Sequence, residues 1–318
     1  STRPVNPAAY DAYIRGCLYM DIWREVGWEK VIEYHQKAIR IDPTYAPAYA
    51  RLALAYSGFG HNGLIPPGEA YRKATEAARK DLALDETLAE AHAALSGIKL
   101  HEWDWAGAER EAKRAVELDP NSVTAIVSYA DHLVFVGKID QAIAEAKRAP
   151  DLDPFGIPRL GWVYANSTRF DEGIAHLRKE MERREHPLLP FFLTNLYAFA
   201  GRCAEALATA DKANCGIICA EAYALCGRRA VALKFARELE ARSKREYVEP
   251  VQIAWIYAGL GEKEKALEWY EEGYRRRSPQ MLYAKRNVIM ARGSPTIKDD
   301  LYDDARYQDL LRRMNFPP

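Results

Sequence analysis

Apolar and small residues recur along this chain every three to four positions, in short blocks separated by polar turns. That period is the one a helix with a single buried face requires. The clearest stretch runs from Asp119 to Pro154. Asp119-Pro120 closes one segment and Asp153-Pro154 closes the next, 34 residues later. Between them Gly137 marks a turn, and Ala142 and Ala146 fall on one helix face. A period of about 34 residues predicts a repeated helix–turn–helix unit.

The same ruler lies along the whole chain. The positions that open the second helix of each unit are Trp28, Tyr71, Trp105, Ile139, Phe170, Cys203, Arg229 and Lys263. Their successive spacings are 43, 34, 34, 31, 33, 26 and 34. Three residues on stand Val31, Ala74, Ala108, Ala142, Gly173, Ala206, Ala232 and Ala266. Four further on stand His35, Ala78, Ala112, Ala146, Leu177, Ala210, Ala236 and Tyr270. These i, i+3, i+7 positions share one face, and small side chains there let neighbouring helices approach closely. The units are placed at 6–43, 44–86, 87–120, 121–154, 155–187, 188–215, 216–249 and 250–279, followed by a capping segment at 280–318.

Local chemistry sets the boundaries. Asn6-Pro7 reads as an N-cap followed by proline in the first helical turn. The aspartates before Pro43, Pro120 and Pro154 end helices, because a residue before proline is pushed out of the helical region. Gly137, Gly201, Gly227 and Gly261 suit left-handed turn positions. Pro150 predicts that its helix stops about a turn early. Two irregularities stand against the ruler. The spacing of 43 reflects an insertion at Gly58–Gly68, whose Gly and Pro content predicts a loop, with His61 and Asn62 as candidate ligand contacts. The spacing of 26 leaves room only for a stunted first helix at Cys215–Leu225, unless residues are absent from the sequence there.

Composition narrows the function. Lys+Arg and Asp+Glu both number 45, so no net basic field points to nucleic acid. No apolar run is long enough to span a membrane. The N-terminus lacks both an apolar signal region and a starting Met, and reads as a processed chain or an excised fragment. Cys17, Cys203, Cys215, Cys219 and Cys226 form no common zinc pattern, and their odd number predicts free thiols in a reducing, cytoplasmic setting. Phosphate-loop, dinucleotide, zinc-protease and nucleophile-elbow motifs are absent, and no two of the seven histidines are spaced i, i+4. The carboxylates at Asp299-Asp300 and Asp303-Asp304 read as solvated, and Arg275–Arg277 as cations at a helix end. The expectation is a non-enzyme with no cofactor and no bound metal.

The segments AGAEREAKRAVELDPN (Ala106–Asn121) and DQAIAEAKRAPDLDP (Asp140–Pro154) resemble tetratricopeptide repeats. NPAAYDAYIRG, WDWAGAERE and IYAGLGEKEKALEWYEEGYRRRSP resemble one bacterial branch of that family, as does the closing YQDLLRRMNFPP. In that branch the repeats form the C-terminal part of multidomain regulators: class III adenylate cyclases, winged-helix transcription regulators and serine/threonine kinases. The resemblance implies an all-α fold, one right-handed superhelical solenoid of about eight units over residues 1–318. It also implies an inner wall built from the first helices. By the family's positions this wall carries Arg51, Leu54, Glu90, Gly97, Val127 and Asp131, then Asn195 and Trp255, with His101 and Phe135 near its rim. The lysines and asparagines of the chaperone-binding carboxylate clamp are missing, since Ala93, Gly97, Val127 and Asp131 stand in their places. The expected function is a scaffold holding a segment of a protein partner, without nucleic acid or membrane, and compatible with a homodimer. The alternative is a regulatory sensor that binds a small ligand and controls a fused or partner effector domain.

Overall fold

The structure is a computed structural model that describes residues 5–21, 27–149, 158–291 and 301–316. Among these residues all regular structure is helical. Contacts divide the chain into two compact units, Ser1–Leu133 with Ala144–Ile157, and Val134–Ile143 with Pro158–Pro318.

The first unit is built from α1 (Pro7–Asp21), α2 (Trp28–Ile41), α3 (Ala46–His61), α4 (Pro67–Leu84), α5 (Ala89–His101), α6 (Trp105–Leu118) and most of α7 (Val123–Phe135). Helices pack as consecutive pairs α1–α2, α3–α4 and α5–α6, and each pair leans on the next. The following helix, α8 (Ile139–Ala146), is divided between the units. It ends short of the expected Pro150, which lies outside the described residues together with Asp153-Pro154.

The second unit continues with α9 (Arg159–Ala165), α10 (Phe170–Arg183), α11 (Leu188–Phe199), α12 (Cys203–Ala213), α13 (Ala220–Leu225) and α14 (Arg229–Ser243). It closes with α15 (Pro250–Gly259), α16 (Lys263–Arg275), α17 (Ala284–Ala291) and α18 (Ala305–Arg313). Short 3-10 helices precede α13, α17 and α18 at Gly216–Cys219, Pro279–Tyr283 and Leu301–Asp303.

The small-residue register explains this stacking. Val31, Ala74, Ala108, Ala142, Ala206, Ala232 and Ala266 are all completely buried. Four residues on, three of the eight positions are large: His35, Leu177 and Tyr270 are also fully buried. At two of them a glycine on the facing helix makes the room. A Cβ on Gly16 would stand 2.6 Å from the His35 ring, and one on Gly161 would stand 2.8 Å from Leu177. Bulk has moved across the interface, and the close approach is kept. Tyr270 instead stacks edge-on against Tyr307 of α18, with ring centroids 5.1 Å apart.

The turns follow the sequence. Asn6 Oδ1 accepts from the Ala8 amide at 3.0 Å, as an N-cap should. Gly137, Gly201, Gly227 and Gly261 have φ of 79°, 72°, 76° and 72°. Asp104 caps α6 through the Gly107 amide at 2.8 Å.

Of three further expectations, two change. The insertion at Gly58–Gly68 is mostly helix: α3 runs on to His61 and α4 starts at Pro67, leaving a turn of five residues, 62–66. Gly60 permits this, because it sits where any Cβ would be 2.5 Å from the Ala70 Cβ. Proline in the first turn then suits the start of α4. Second, the Cys215–Leu225 segment forms the stunted helix, a 3-10 turn followed by six-residue α13. It still packs against both α11 and α15, so its neighbours' apolar faces are covered.

Third, the free-thiol expectation is corrected at four positions. Cys203–Cys226 and Cys215–Cys219 are disulfide-bonded, and Cys17 takes part in no disulfide. The odd count misleads because short units place the start of α12 beside the end of α13, with Cα atoms of Cys203 and Cys226 5.1 Å apart.

Gly60→Ala should destabilise the fold by an amount on the order of 1–3 kcal/mol in urea unfolding, since the α3–α4 contact cannot accept a methyl without shifting. An unchanged urea midpoint would refute this account of the insertion. Replacing Cys203 and Cys226 together by serine opens a loop with a sequence separation of 23 residues. The chain-entropy argument puts that loss at about 3 kcal/mol. Equal thermal stability of the variant and the oxidised wild type would show that the bond does not constrain the short unit.

Candidate functional site

The residues expected on the inner wall fall into separate neighbourhoods, one set in each unit. In the first unit Arg51 on α3 reaches Glu90 on α5 at 3.7 Å, both largely covered. The Tyr13 hydroxyl and the Cys17 thiol act on the Arg51 guanidinium, whose Nε is buried without a hydrogen-bond partner. Burial first, and then Cys17, push the Tyr13 hydroxyl up to about 12, against the pull of Arg51. Behind them His35 is pushed down to about 3 by burial and, secondarily, by Arg51, so it is neutral at physiological pH. Both its ring nitrogens lack a partner.

Other members of the expected wall have structural partners. Leu54 packs against the core beside Phe59. Gly97 lies close to Ser57, whose Oγ would be 3.3 Å from a Cβ there. Val127 is buried at 9% exposure, and Asp131 is half-buried on α7.

The extended α3–α4 pair positions the two candidate loop contacts. His101 Nε2 shares a short hydrogen bond with the Tyr71 hydroxyl, and the His61 ring lies 5.5 Å from the His101 ring. Burial, with His61 adding to it, holds His101 far below the usual histidine range. Asn62 donates from Nδ2 to the Gly58 carbonyl at 2.8 Å, so it closes the end of α3.

In the second unit the structure brings Phe135 and Trp255 onto one ring, Tyr283. Phe135 meets Tyr283 edge-on at 5.1 Å, and Trp255 meets it at 6.1 Å and 89°. Phe135 also meets Trp162 edge-on at 6.0 Å. Two arginines lie over these rings, Arg159 at 4.8 Å from Trp162 and Arg286 at 4.7 Å from Tyr283. Such contacts stabilise by about 0.5–2 kcal/mol each, more where water is excluded. Asn195 stands apart, half-buried on α11.

Beneath this aromatic row lies a polar knot. The Arg286 guanidinium donates to Asn287 Oδ1, and Asn287 Nδ2 donates to Glu221 Oε1 at 3.3 Å. Burial pushes the Glu221 carboxyl up to about 7, although Arg286 and Asn287 pull it down. Burial likewise lowers Arg286 to about 10. Arg286 Nε is buried without a hydrogen-bond partner.

Tyr283, Trp162, Arg159 and Arg286 are absent from the wall that the sequence predicts. The usable signal is an arginine three residues from an aromatic, in RLGW at 159–162 and YAKR at 283–286. Residues at that spacing share a helix face. Among the described residues no group of three or more His, Cys, Asp or Glu side chains could hold a metal ion, and no helix is long and apolar enough to cross a membrane.

The family model for the tetratricopeptide repeat matches residues 251–278, which covers α15, α16 and the turn between them. The yeast Tom70 structure aligns with 92% of this chain at 18% identity and a TM-score of 0.53. The alignment covers 65% of that protein. A thermophilic tetratricopeptide repeat protein of Thermus thermophilus aligns over 65% of this chain and 90% of its own, at 16% identity and TM-score 0.38. No curated protein matches this sequence. The fold is thus the helix-pair array of tetratricopeptide proteins.

One buried acid of the first unit gives a pH test. Asp81 on α4 is fully buried, and neither carboxylate oxygen has a partner. Burial, then Asp85 and Glu90, raise it from 3.8 to about 8. The folded state therefore binds this proton more tightly than the unfolded chain does. The linked stability is full below about pH 4 and is lost as pH rises through about 8. Asp81→Asn should flatten that part of the stability–pH curve and raise the urea midpoint at pH 8. Parallel curves for the two proteins would show that Asp81 is already ionised in the fold.

Proposed function

We propose that this chain is a non-catalytic scaffold whose helix pairs hold a segment of a protein partner, and that the second unit supplies the main contact surface. The observation behind this reading is the row Trp162–Phe135–Tyr283–Trp255, flanked by Arg159 and Arg286. Trp162, Phe135 and Trp255 are partly exposed around the buried Tyr283, and such rings anchor protein segments because rigid rings bind with little loss of side-chain freedom. They favour a segment that presents apolar or aromatic side chains next to a carboxylate. The helix-pair fold supports the same class of role. The family resemblance extends it to a regulatory arm attached to a signalling effector.

A small-ligand sensor is the second reading. It draws on the knot of Glu221, Arg286 and Asn287, where Arg286 Nε is buried without a hydrogen-bond partner in the protein. The scaffold reading is preferred because Trp162, Phe135 and Trp255 are only half-buried and so partly reach solvent.

Peptides selected from a random displayed library against the whole chain should be enriched in aromatic residues flanked by Asp or Glu. Their affinity should fall at least about tenfold in Phe135→Ala, a half-buried position, with the thermal midpoint held within a few degrees. Selected peptides that bind Phe135→Ala as well as wild type would remove the aromatic row as the contact surface.

A further inference from the structure

The first unit carries a second surface on a different set of helices. A groove of about 1060 Å³ runs between α2 and α4, the second helices of the first two pairs, with α3 as its floor. The lining at its base is apolar: Ile39, Leu52, Tyr56 and Ala77. The walls are cationic. Arg40 stands on α2, and Arg72, Lys73, Arg79 and Lys80 follow the helical repeat along α4, against one lining carboxylate, Glu76.

The existing ion pairs do not cancel this charge. Glu76 pairs with Arg72 at 3.6 Å, and Glu69 pairs with Lys73 at 2.7 Å. Arg40, Arg79 and Lys80 have no ion-pair partner among the described residues, and all three are exposed. The chain as a whole has no net charge, so this is a local concentration.

From this charge pattern and the apolar floor we infer that the groove docks an acidic, amphipathic helical segment of another protein. The dimensions fit such an occupant. From Arg72 to Lys80 the wall extends about 12 Å at the helical rise, roughly two turns of a partner helix lying alongside. Small-molecule sites occupy roughly 300–1,000 Å³ and bury most of their ligand. This groove is as large and is only partly enclosed, which suits a polymer segment. An apolar ridge at i, i+4 spacing would meet Ile39 and Leu52, and carboxylates on its flanks would meet Arg40 on one wall and Arg79 and Lys80 on the other.

A nucleic-acid strand is the weaker occupant. Stacking needs an open aromatic face. Tyr56 is only 4% exposed, its ring is covered by Lys73 at 5.3 Å, and its hydroxyl accepts from Gln36 at 3.1 Å.

The test is a displayed library of 18-residue amphipathic helices with randomised flanks, selected against the whole chain. The sequences retained should carry a clear net negative charge. Their affinity should fall at least about tenfold in the charge-reversed variant Arg79→Glu/Lys80→Glu, whose two positions are exposed and leave the core intact. The same affinity should be unaffected by Phe135→Ala, which separates this surface from the aromatic row. Enrichment without acidic bias, or equal binding by the charge-reversed variant, overturns the inference. So does displacement of the selected peptides by an 18-nucleotide single strand at equal concentration, which would assign the groove to nucleic acid.

Discussion

Helix-to-helix distance is the constraint on which everything else here depends. Each second helix presents a residue with almost no side chain, or a β-branched one, to its own first helix, and seven of these eight positions are completely buried. Ala108 and Ala232 do not hold the fold by strength of contact. They do so by absence of bulk, which lets long neighbouring side chains interdigitate and exclude water. Where bulk does appear, at His35 or Leu177, a glycine opposite absorbs it. At these two interfaces bulk has passed from one helix to the other while the close approach is kept.

This exchange also marks the limit of what the sequence shows. The register of Val31 through Ala266, the turn glycines and the Asn6 cap are legible because each is a local rule: a period, a positive φ, a side chain that reaches its own backbone. The compensation at Gly16 and Gly161 is not legible. It joins residues on different helices, and neither glycine stands out within its own helix. The insertion misleads for a related reason. Gly58 and Gly60 look like loop formers by propensity, yet Gly60 is helical because Ala70 needs the space. Tertiary demand overrides the local signal.

The candidate surfaces follow the same division. Arg51 and Glu90 can be placed together from the repeat register alone, one unit apart on first helices. Phe135 and Trp255 each follow from position, but what joins them is Tyr283, from a segment that the ruler treats only as a cap. The cysteines escape the sequence because a count carries no geometry. Where a first helix is shortened to six residues, its end at Cys226 meets Cys203 of the preceding unit, and the bond supplies a constraint that the missing turns of α13 cannot.

A net charge of zero conceals two unlike chemistries. On the second unit the cations lie over aromatic rings, where part of their charge is balanced by the ring quadrupole and by a buried carboxyl. On the first unit Arg79 and Lys80 stand in solvent with no ion-pair partner among the described residues, above an apolar floor. The first arrangement suits recognition by shape, with charge as a refinement. The second depends on long-range attraction and so weakens as salt screens it. The inner face of α4 makes the contrast internal to one helix. Asp81, the residue after Lys80, turns inward, is fully buried and is held largely protonated by that burial. The inward face thus adds little negative charge to offset the cations outside. Neutralisation of Asp81 and exposure of its neighbours act together, and the positive field of the groove is stronger than the composition of α4 would suggest.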